Sequence, residues 1–322
     1  MKEIKVTKND SGQRIDRFLS KSFPLGQGQI CKLARKNCIK LNGKKCKPDT
    51  HIAENDIIKL FIPDEMLIPK AKSDPDDFTG VSDKIDIVYE DENILLADKP
   101  VGMVVHEDES GDSDTLINRI KSYLYHKGEY HPENELSFAP ALCNRIDRNT
   151  CGIVIAAKNA ESLRILNQKI RDRELTKLYL CIACGKVTPD SATLTAYLEK
   201  NSDTNTVKIS DKKTKSNLTI KTKYKVIAYN GENSLLKVDL LTGRTHQIRA
   251  HLAYIGHALL GDGKYGNNKL NKKYGFKYQA LCSYELQFKF TTDAGCLSYL
   301  DGKCFKAKAP DFVKMFGGNI KL

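Results

Sequence analysis

The sequence "NRIDRNTCGIVIAA", residues 144–157, places one acid between two arginines and then becomes apolar. Asp147 has Arg145 two positions before it and Arg148 directly after it. From Ile153 onwards the side chains are apolar and partly β-branched, which is typical of a buried strand. The stretch therefore predicts a strand with a charged loop at its entrance, and that loop is a candidate site.

Similar apolar runs occur on both sides of this strand. They are "KIDIVYEDENILLADKPVGMVVH", "TKLYLCIACGKV", "KTKYKVIAY", "NSLLKVDLLTG" and "SYELQFKFTT". Helical periodicity is found in "TLINRIKSYLYH", "AESLRILNQKIRDREL" and "THQIRAHLAYIG". Some strands follow one another directly, and others are separated by helices. This order favours an α+β fold, with a mixed, largely antiparallel sheet and flanking helices, over a doubly wound parallel sheet.

The composition points to a polyanionic partner. The 322 residues carry a net charge of +12, and the isoelectric point is near 9.1. Such a charge suits nucleic acid first and an anionic membrane second. No apolar run approaches the roughly 20 residues that span a bilayer, and the first residues lack the apolar core of a signal peptide. We therefore expect a cytoplasmic protein with no membrane partner, whose ten scattered cysteines are reduced.

The positive charge is concentrated at the start of the chain. Residues 1–62 hold 14 Lys and Arg against 6 Asp and Glu. Residues 63–84 hold three Lys against six acids, together with Pro and Ser. This shift in composition predicts an N-terminal domain at 1–62, a linker at 63–84 and a larger domain at 85–322.

The N-terminal residues predict a compact basic platform. "SGQRIDRFLSKSF" and "GQGQICKLARKNC" have the periodicity of amphipathic helices, and Asn42-Gly43 is a strong hairpin signal. A face rich in Lys and Arg contacts phosphates rather than base edges, although an ordinary solvated helix face is the alternative. The candidate RNA contacts are Arg14, Arg17, Lys32, Arg35, Lys44 and Lys45.

Several common motifs of enzyme chemistry do not occur. There is no GxxxxGK[ST], HExxH or GxSxG, and "GDGKYG" fits the GxGxxG spacing without a strand leading into it. Cys181 and Cys184 have the spacing of metal ligands, but no second ligand pair follows and a structural zinc site needs four ligands. We expect neither a metal nor an organic cofactor.

Three clusters remain that could carry chemistry: residues 144–152, Lys177-Leu178-Tyr179, and residues 241–251. The third combines a helix start with two arginines, which suits a phosphate or a carboxylate. Each cluster also has an ordinary structural explanation. Asp147 can be a turn residue, Tyr179 a half-buried strand aromatic, and Arg249 an amphipathic stem over the core.

Two parts of the sequence resemble known families. Residues 12–62 resemble the S4 RNA-binding domain, through "RIDRFLSKSFP", "QICKLARKNCIKLNGKKCKP" and "IAENDIIKL". The rest resembles the pseudouridine synthases of the large-subunit rRNA type, with the family's blocks in the family's order. The matching blocks are "ADKPVGMVVH", "NRIDRNTCGIVIAAKN", "RELTKLYLCIACGK", "LLTGRTHQIRAHLAYIGHALLGDGKYG" and "FKAKAPDF". The resemblance implies the pseudouridine synthase fold, preceded by a small S4-like α/β domain.

The resemblance also implies roles for individual residues. Asp147 matches the catalytic aspartate, Tyr179 the tyrosine that packs against the target base, and Arg249 the basic residue paired with the aspartate. Arg145 matches an arginine that holds open the space left by the flipped nucleotide. The implied reaction converts uridine to pseudouridine and needs no metal or organic cofactor. Further RNA contacts are expected from Arg148, Arg244, His246 and Gln247.

This chemistry accounts for the residue types. A carboxylate can act as a nucleophile or a proton acceptor, and an opposing guanidinium favours its charged form. An aromatic face stacks on a base that has left its helix.

Two positions depart from the family pattern, which has His in place of Asn144 and Ser in place of Cys151. These changes bear on the choice of substrate more than on catalysis. The alternatives are a non-catalytic RNA-binding or ribosome-assembly protein and a tRNA-specific pseudouridine synthase. The intact trio Asp147, Tyr179 and Arg249 favours an enzyme, and we expect a monomer that acts on 23S rRNA or a ribosomal precursor.

Overall fold

The computed structural model describes residues 1–68, 78, 80–107, 111–201, 204–317 and 320–322. The chain divides into two compact units. Unit 1 comprises Met1–Lys84, Ile117–Ala141 and Ala157–Arg164, and unit 2 comprises Ile85–Leu116, Leu142–Ala156 and Ile165–Leu322. The linker predicted at 63–84 lies partly outside the described residues.

Unit 1 begins with a small sheet and two helices. Its elements are β1 (Lys2–Lys5), α1 (Ile15–Ser22), α2 (Gln27–Arg35), β2 (Ile39–Leu41), β3 (Lys44–Lys45), β4 (Ile57–Leu60) and most of α3 (Leu116–His126). The four strands form a sheet in the order β1-β4-β2-β3. Both helices and the hairpin predicted from sequence are confirmed. Asn42 and Gly43 have φ values of 50° and 76°, and positive φ at both central residues is what a tight two-residue hairpin turn requires.

Apolar side chains at helical spacing form the core of unit 1. Ile15, Phe18 and Leu19 of α1 are at most 1% exposed, as is Phe23 just after the helix. They pack with Ile30 of α2 and with the buried side of the sheet. The spacing that predicted α1 therefore reflects one buried face of that helix.

Side-chain hydrogen bonds join the segments of unit 1. The Asn9 amide donates to Glu135 Oε1 at 2.6 Å, and Ser137 Oγ donates to Asp10 Oδ1 at 2.6 Å. Arg164 Nη1 donates to the Ser11 carbonyl oxygen at 2.8 Å. Residues close to the N-terminus are thus bonded to segments more than 120 positions later in the chain.

Unit 2 contains the large sheet. Its elements lie wholly or partly in this unit and are β5 (Ile87–Glu90), β6 (Ile94–Lys99), β7 (Ala141–Leu142), β8 (Cys151–Ala157), α4 (Ala160–Arg171), β9 (Leu175–Cys184), β10 (Ser191–Asn201), β11 (Thr206–Ser210), β12 (Leu218–Tyr229), β13 (Asn233–Asp239), α5 (Gln247–Tyr254), α6 (Asn268–Lys273), β14 (Leu281–Phe288) and β15 (Cys304–Lys306). The strand order is β11-β10-β12-β13-β9-β14-β8-β6-β5, with β15 beside β14 and β7 beside β8.

The predicted α+β class is confirmed, and so is the mixed sheet. Pairs such as β12–β13 and β9–β14 are antiparallel, whereas β14 pairs with β8 in parallel. The helices are short, and α4 has 12 residues. Within the described part of the chain, no helix has the length and apolar character needed to cross a bilayer.

Gly152 brings β8 and β14 into close contact. A Cβ at this position would lie 2.2 Å from the Ser283 carbonyl oxygen, and the backbone has a φ of 104°. Only glycine fits such a position without displacing β14. The sharp entry into β8 places residues 144–150 at the end of the central strands, and a hydrogen bond from Thr150 N to the Asp147 carbonyl oxygen closes the loop.

Candidate active site

A cavity of about 900 Å³ opens in unit 2 beside the 144–150 loop. The loop forms one wall, and β9 and the segment leading into α5 form others. Asp147, Tyr179 and Arg249 all line this cavity. The structure therefore brings together the three residues that the sequence predicts to be catalytic.

Arg249 lies between two carboxylates. Its Nη1 donates to Asp147 Oδ2 at 2.8 Å. Its Nε and Nη2 donate to Asp262 Oδ2 and Oδ1 at 2.7 and 3.0 Å, which is a bidentate pair. The side chains of Asp147, Arg249 and Asp262 are 27%, 7% and 0% exposed, so exposure falls from the cavity inwards.

The buried pair explains the ionisation of both partners. Burial lowers the pKa of Arg249, but the hydrogen bond and charge of Asp262, with the charge of Asp147, outweigh it and raise the pKa overall. Burial raises the pKa of Asp262, but Arg249 and the backbone N–H groups of Lys264 and Tyr265 bring it below the usual value. Both groups are charged at neutral pH, and Asp262 holds the guanidinium in a fixed orientation.

His246 and Tyr265 extend the network on the other side of Asp147. His246 Nε2 lies 3.8 Å from Asp147 Oδ2, and its Nδ1 lies 3.0 Å from the Tyr265 hydroxyl. That hydroxyl accepts a hydrogen bond from Val207 N of β11 at 2.8 Å. Burial lowers the pKa of His246, although the charge of Asp147 opposes the shift. The histidine also has a left-handed backbone, with φ at 52°, directly before α5.

Tyr179 presents a buried aromatic ring to the cavity. It is 6% exposed, and burial raises the pKa of its hydroxyl to about 12. Its backbone pairs with Val238 on one side and Ser283 on the other. A central strand with neighbours on both sides therefore fixes the position of the ring.

Lys99 is hydrogen-bonded to the backbone of the 144–150 loop. Its ammonium donates to the carbonyl oxygens of Pro100 and Met103 at 2.8 Å each and of Arg148 at 2.9 Å. The residue is 0% exposed, and burial lowers the pKa of its side chain to about 8. Because one of its acceptors is the residue after Asp147, Lys99 ties the 100–103 turn to the loop that carries the carboxylate.

Most of the charged side chains that line the cavity are cations. The lysines and arginines along it are Arg145, Arg148, Lys177, Lys200, Arg244, Arg249, Lys264 and Lys277. The acids that line it are Glu107 and Asp147. Arg145, Arg148 and Arg244 are exposed. This excess of positive charge suits a phosphate-bearing ligand.

Several residues predicted to contact RNA have partners within the protein. His246 is one of them, and Arg148 is another, since its Nε donates to the Gly102 carbonyl oxygen at 3.1 Å. Gln247 is 2% exposed, and its amide bonds to Thr242 Oγ1, the Lys221 carbonyl oxygen and Thr222 Oγ1. Arg14 forms a bidentate pair with Asp16 at 3.1 and 2.6 Å. These contacts hold the side chains of Gln247 and Arg14 in place within the protein, and their contact with RNA stays a prediction. The other platform residues, Arg17, Lys32, Arg35, Lys44 and Lys45, are exposed in unit 1.

Sequence reasoning missed Asp262, Tyr265 and Lys99. The first two lie in "GDGKYG", which fits the GxGxxG spacing and also ends one of the blocks that resemble the family, but neither pattern assigns a role to these two residues. In the structure, a Cβ at Gly261 would lie 2.0 Å from the Tyr278 carbonyl oxygen, so this glycine serves a close backbone approach. The signal available in the sequence was a lone acid between glycines, 13 residues after Arg249.

Asn144 and Cys151 also have defined contacts. Asn144 Oδ1 accepts a hydrogen bond from Ile155 N at 2.8 Å, so this side chain fastens the start of the loop to β8. Cys151 Sγ lies 3.7 Å from the Leu281 carbonyl oxygen, and its backbone pairs with Cys282. The departure at position 144 is therefore compatible with the geometry of the loop.

The cysteines with the spacing of metal ligands, Cys181 and Cys184, are not part of a group of ligands within the described residues. All ten cysteines are free thiols, and Cys181 is fully buried. His251 Nδ1 lies 3.0 Å from Thr222 Oγ1, and burial lowers the pKa of this histidine to about 4. Among the residues that the structure describes, no three His, Cys, Asp or Glu side chains are grouped so that they could hold a metal ion.

Comparison with known proteins identifies the family of the chain. The family model described as RNA pseudouridylate synthase matches residues 93–254, which include the 144–150 loop, Tyr179 and Arg249. The chain belongs to this family. The synthase is 35% identical over 291 residues to an uncharacterized RNA pseudouridine synthase of Mycoplasma genitalium, with 88% of each chain covered. It is 32% identical to the ribosomal large subunit pseudouridine synthase D of Borreliella burgdorferi, which covers 81% of this chain and 78% of that protein.

A solved structure shares the fold of the synthase. The human RNA pseudouridylate synthase domain containing 1 superposes with a TM-score of 0.54 at 22% identity, covering 71% of this chain and 84% of that one. The sequence-based assignment to the pseudouridine synthases is thus confirmed, and the chain is an RNA pseudouridine synthase.

Proposed function

We propose that the synthase converts uridine to pseudouridine in large-subunit ribosomal RNA, with Asp147 as its catalytic carboxylate. The observation that carries this proposal is the Asp147–Arg249 pair at 2.8 Å in a cavity whose charged lining residues are mostly cations. Its relatives include a protein named as a ribosomal large subunit synthase. We place its action in the cytoplasm, as a monomer.

The reaction rearranges one nucleotide without net change in composition. The C1′–N1 bond breaks, the uracil turns, and a C1′–C5 bond forms. The hydrogen on C5 leaves as a proton, and N1 gains a proton. Attack on C1′ and removal of a sugar proton both require an ionised carboxylate next to the ribose, which is the task of Asp147.

The other residues hold the nucleotide and the carboxylate. Arg249 supplies positive charge beside Asp147, and Asp262 keeps the guanidinium aimed at it. Tyr179, which is buried at the cavity wall, offers an aromatic face to the flipped uracil. The exposure of Arg145 and Arg148 at the loop supports a role in contacting phosphates or the vacated stack.

The test uses 23S rRNA transcripts labelled with tritium at uridine C5. The purified synthase is expected to release tritium to water without added metal or cofactor. Mapping of pseudouridine in rRNA and tRNA from cells with and without the gene then identifies the target. Release from tRNA alone would contradict the proposed rRNA substrate, and release from neither RNA would contradict the proposed function.

We also propose that residues 1–62 act as an S4-like platform for the RNA backbone. The combined substitution Arg17→Gln, Lys32→Gln and Arg35→Gln is expected to weaken RNA affinity about tenfold. The slope of log affinity against log salt concentration should become less steep by about 2. The reason is that a protein with fewer phosphate contacts releases fewer counterions when it binds. Filter binding of the rRNA transcript over a salt series measures both effects.

The matched control removes three exposed lysines from the C-terminal segment, through Lys308→Gln, Lys314→Gln and Lys321→Gln. It carries the same loss of charge and should leave affinity within about twofold of the wild type. An equal loss in both variants would mean that total charge, and not the platform, determines RNA binding.

A further inference from the structure

At one end of the sheet of unit 2, strands β11, β10 and β12 have one covered face and one exposed face. In sequence, β10 and β12 alternate between buried and exposed positions. On one face, Ala196 and Ile220 pack in a cluster with Ala250 of α5, which covers that side. On the opposite face the residues are exposed, and we name it the open lysine face. Its members are Ser191, Thr193 and Thr195 of β10 and Lys221, Lys223 and Lys225 of β12.

Each lysine of this face has a hydroxyl group directly across from it. The register pairs Lys221 with Thr195, Lys223 with Thr193 and Lys225 with Ser191. Directly opposed residues of an antiparallel pair project from the same side of the sheet. The face is therefore a row of three lysine–hydroxyl pairs, and alternate residues on a strand are about 6.8 Å apart.

The segment that contains β11 and most of β12 carries a high positive charge for its length. Residues 200–225 contain eight lysines against two aspartates, a net of +6, which is half of the +12 of the whole chain. Lys208 of β11 lies in register with Glu199, and Lys223 also lies in register with Asp239 of β13. These acids leave most of the positive charge uncompensated.

Within the part of the chain that the structure describes, none of the three ammonium groups forms an ion pair. In the described ranges, Lys221, Lys223 and Lys225 have no carboxylate within 4.0 Å, whereas nearby Lys237 is bound to Glu285 at 2.8 Å. Lysines that stabilised the fold would be expected to pair in the way that Lys237 does. An open row of unpaired ammonium groups beside hydroxyl groups matches the side chains that contact phosphate oxygens.

We propose that the open lysine face binds the phosphodiester backbone of a single strand of the substrate RNA, outside the cavity that receives the target uridine. The inference rests on the proposed function, because it takes RNA as the substrate. Regularly spaced cations next to hydroxyl donors suit consecutive phosphates, and no base-specific contact is implied.

The topology of the sheet leaves a path for the RNA strand between the cavity and the open lysine face. Tyr179 is in register with Val238, which is in register with Tyr224, so all three lie on the face opposite to the lysines. The β10–β11 hairpin reaches the cavity, where Lys200 and Asn205 line the wall. β11 is the edge strand of the sheet. RNA that leaves the cavity past this hairpin can therefore pass around β11 and contact the open lysine face on the other side of the sheet.

The test replaces the three lysines with glutamine, as Lys221→Gln, Lys223→Gln and Lys225→Gln in one full-length chain. Fluorescein-labelled polyuridylate measures binding, and tritium release from the 23S rRNA transcript measures activity. Affinity for polyuridylate is expected to fall about tenfold, with a salt slope reduced by about 2. The KM for the transcript should rise by a similar factor while kcat stays within about twofold.

The Lys308, Lys314 and Lys321 variant again serves as the control for loss of charge. Equal behaviour of the two triple variants would overturn the inference while an active wild type leaves the proposed function standing. Binding of polyglutamate as tight as that of polyuridylate, with the same loss on substitution, would also overturn it, because the face would then recognise charge without phosphodiester. A wild type that releases no tritium contradicts the proposed function, and the polyuridylate measurement still tests the face.

Discussion

Replacing Asp147 with asparagine is expected to lower the rate of tritium release by about 10⁴-fold or more, while RNA affinity changes by less than about twofold. Asparagine keeps the size of the side chain and can still accept the hydrogen bond from Arg249. It cannot act as a nucleophile or take up a proton at neutral pH. Single-turnover release from the labelled rRNA transcript measures the rate, and filter binding measures the affinity.

The control for this substitution is Asp293→Asn. Asp293 is exposed, and its carboxylate accepts a hydrogen bond from Gly295 N, a contact that asparagine can also make. This variant should release tritium at the wild-type rate. An Asp147→Asn enzyme that kept more than about a tenth of the wild-type rate would show that another group performs the chemistry.

The second large effect is expected for Arg249→Met. Removal of the guanidinium leaves Asp262, which is 0% exposed, without its cation. Breaking a buried pair in this way costs about 3–5 kcal/mol of stability, because the remaining charge is uncompensated. Activity should fall about 10³-fold, since Asp147 loses its partner as well. Urea unfolding and tritium release measure the two effects separately.

The double variant Arg249→Met with Asp262→Asn separates stability from catalysis. It removes the buried charge together with the cation, so much of the lost stability should return. Activity should stay low, because the contact with Asp147 is still missing. Recovery of both properties would show that Arg249 acts only through the fold.

The same pair predicts a dependence of stability on pH. The pKa of Asp262 in the folded protein lies below its ordinary value of 3.8. Its contribution to the free energy of unfolding is therefore complete above that ordinary value and is lost as the pH falls through the lowered folded value. In Arg249→Met the guanidinium no longer lowers the pKa of Asp262, and only the backbone N–H groups of Lys264 and Tyr265 oppose the effect of burial. Acid should therefore narrow the difference in the free energy of unfolding between this variant and the wild type.

Local patterns were sufficient for most of the secondary structure. The spacing of Ile15, Phe18 and Leu19 predicted α1, and Asn42-Gly43 predicted the first hairpin, because these signals depend on near neighbours in the chain. Strand β1 was not predicted. It has four residues of which one, Ile4, is buried, and it exists through pairing with β4, whose register joins Lys2 to Leu60.

The pairing of the central strands required the tertiary structure. β8 lies between β6 and β14, and its parallel partner β14 begins more than 120 residues later. Nothing in "GIVIAA" specifies that partner, because an apolar strand can be buried against many others. The close approach of Gly152 to Ser283 identifies β14 as the partner of β8, but it is visible only in the folded structure.

For the candidate site, too, some features followed from the sequence and others only from the tertiary structure. The sequence by itself determined the family, the α+β class and the three side chains Asp147, Tyr179 and Arg249, because their motifs are local. Only the tertiary structure decided that Arg249 is shared between Asp147, 102 positions earlier, and Asp262. The reason is physical: a buried guanidinium is satisfied by whichever carboxylates the fold brings within hydrogen-bonding distance, and this depends on strand order rather than on spacing along the chain.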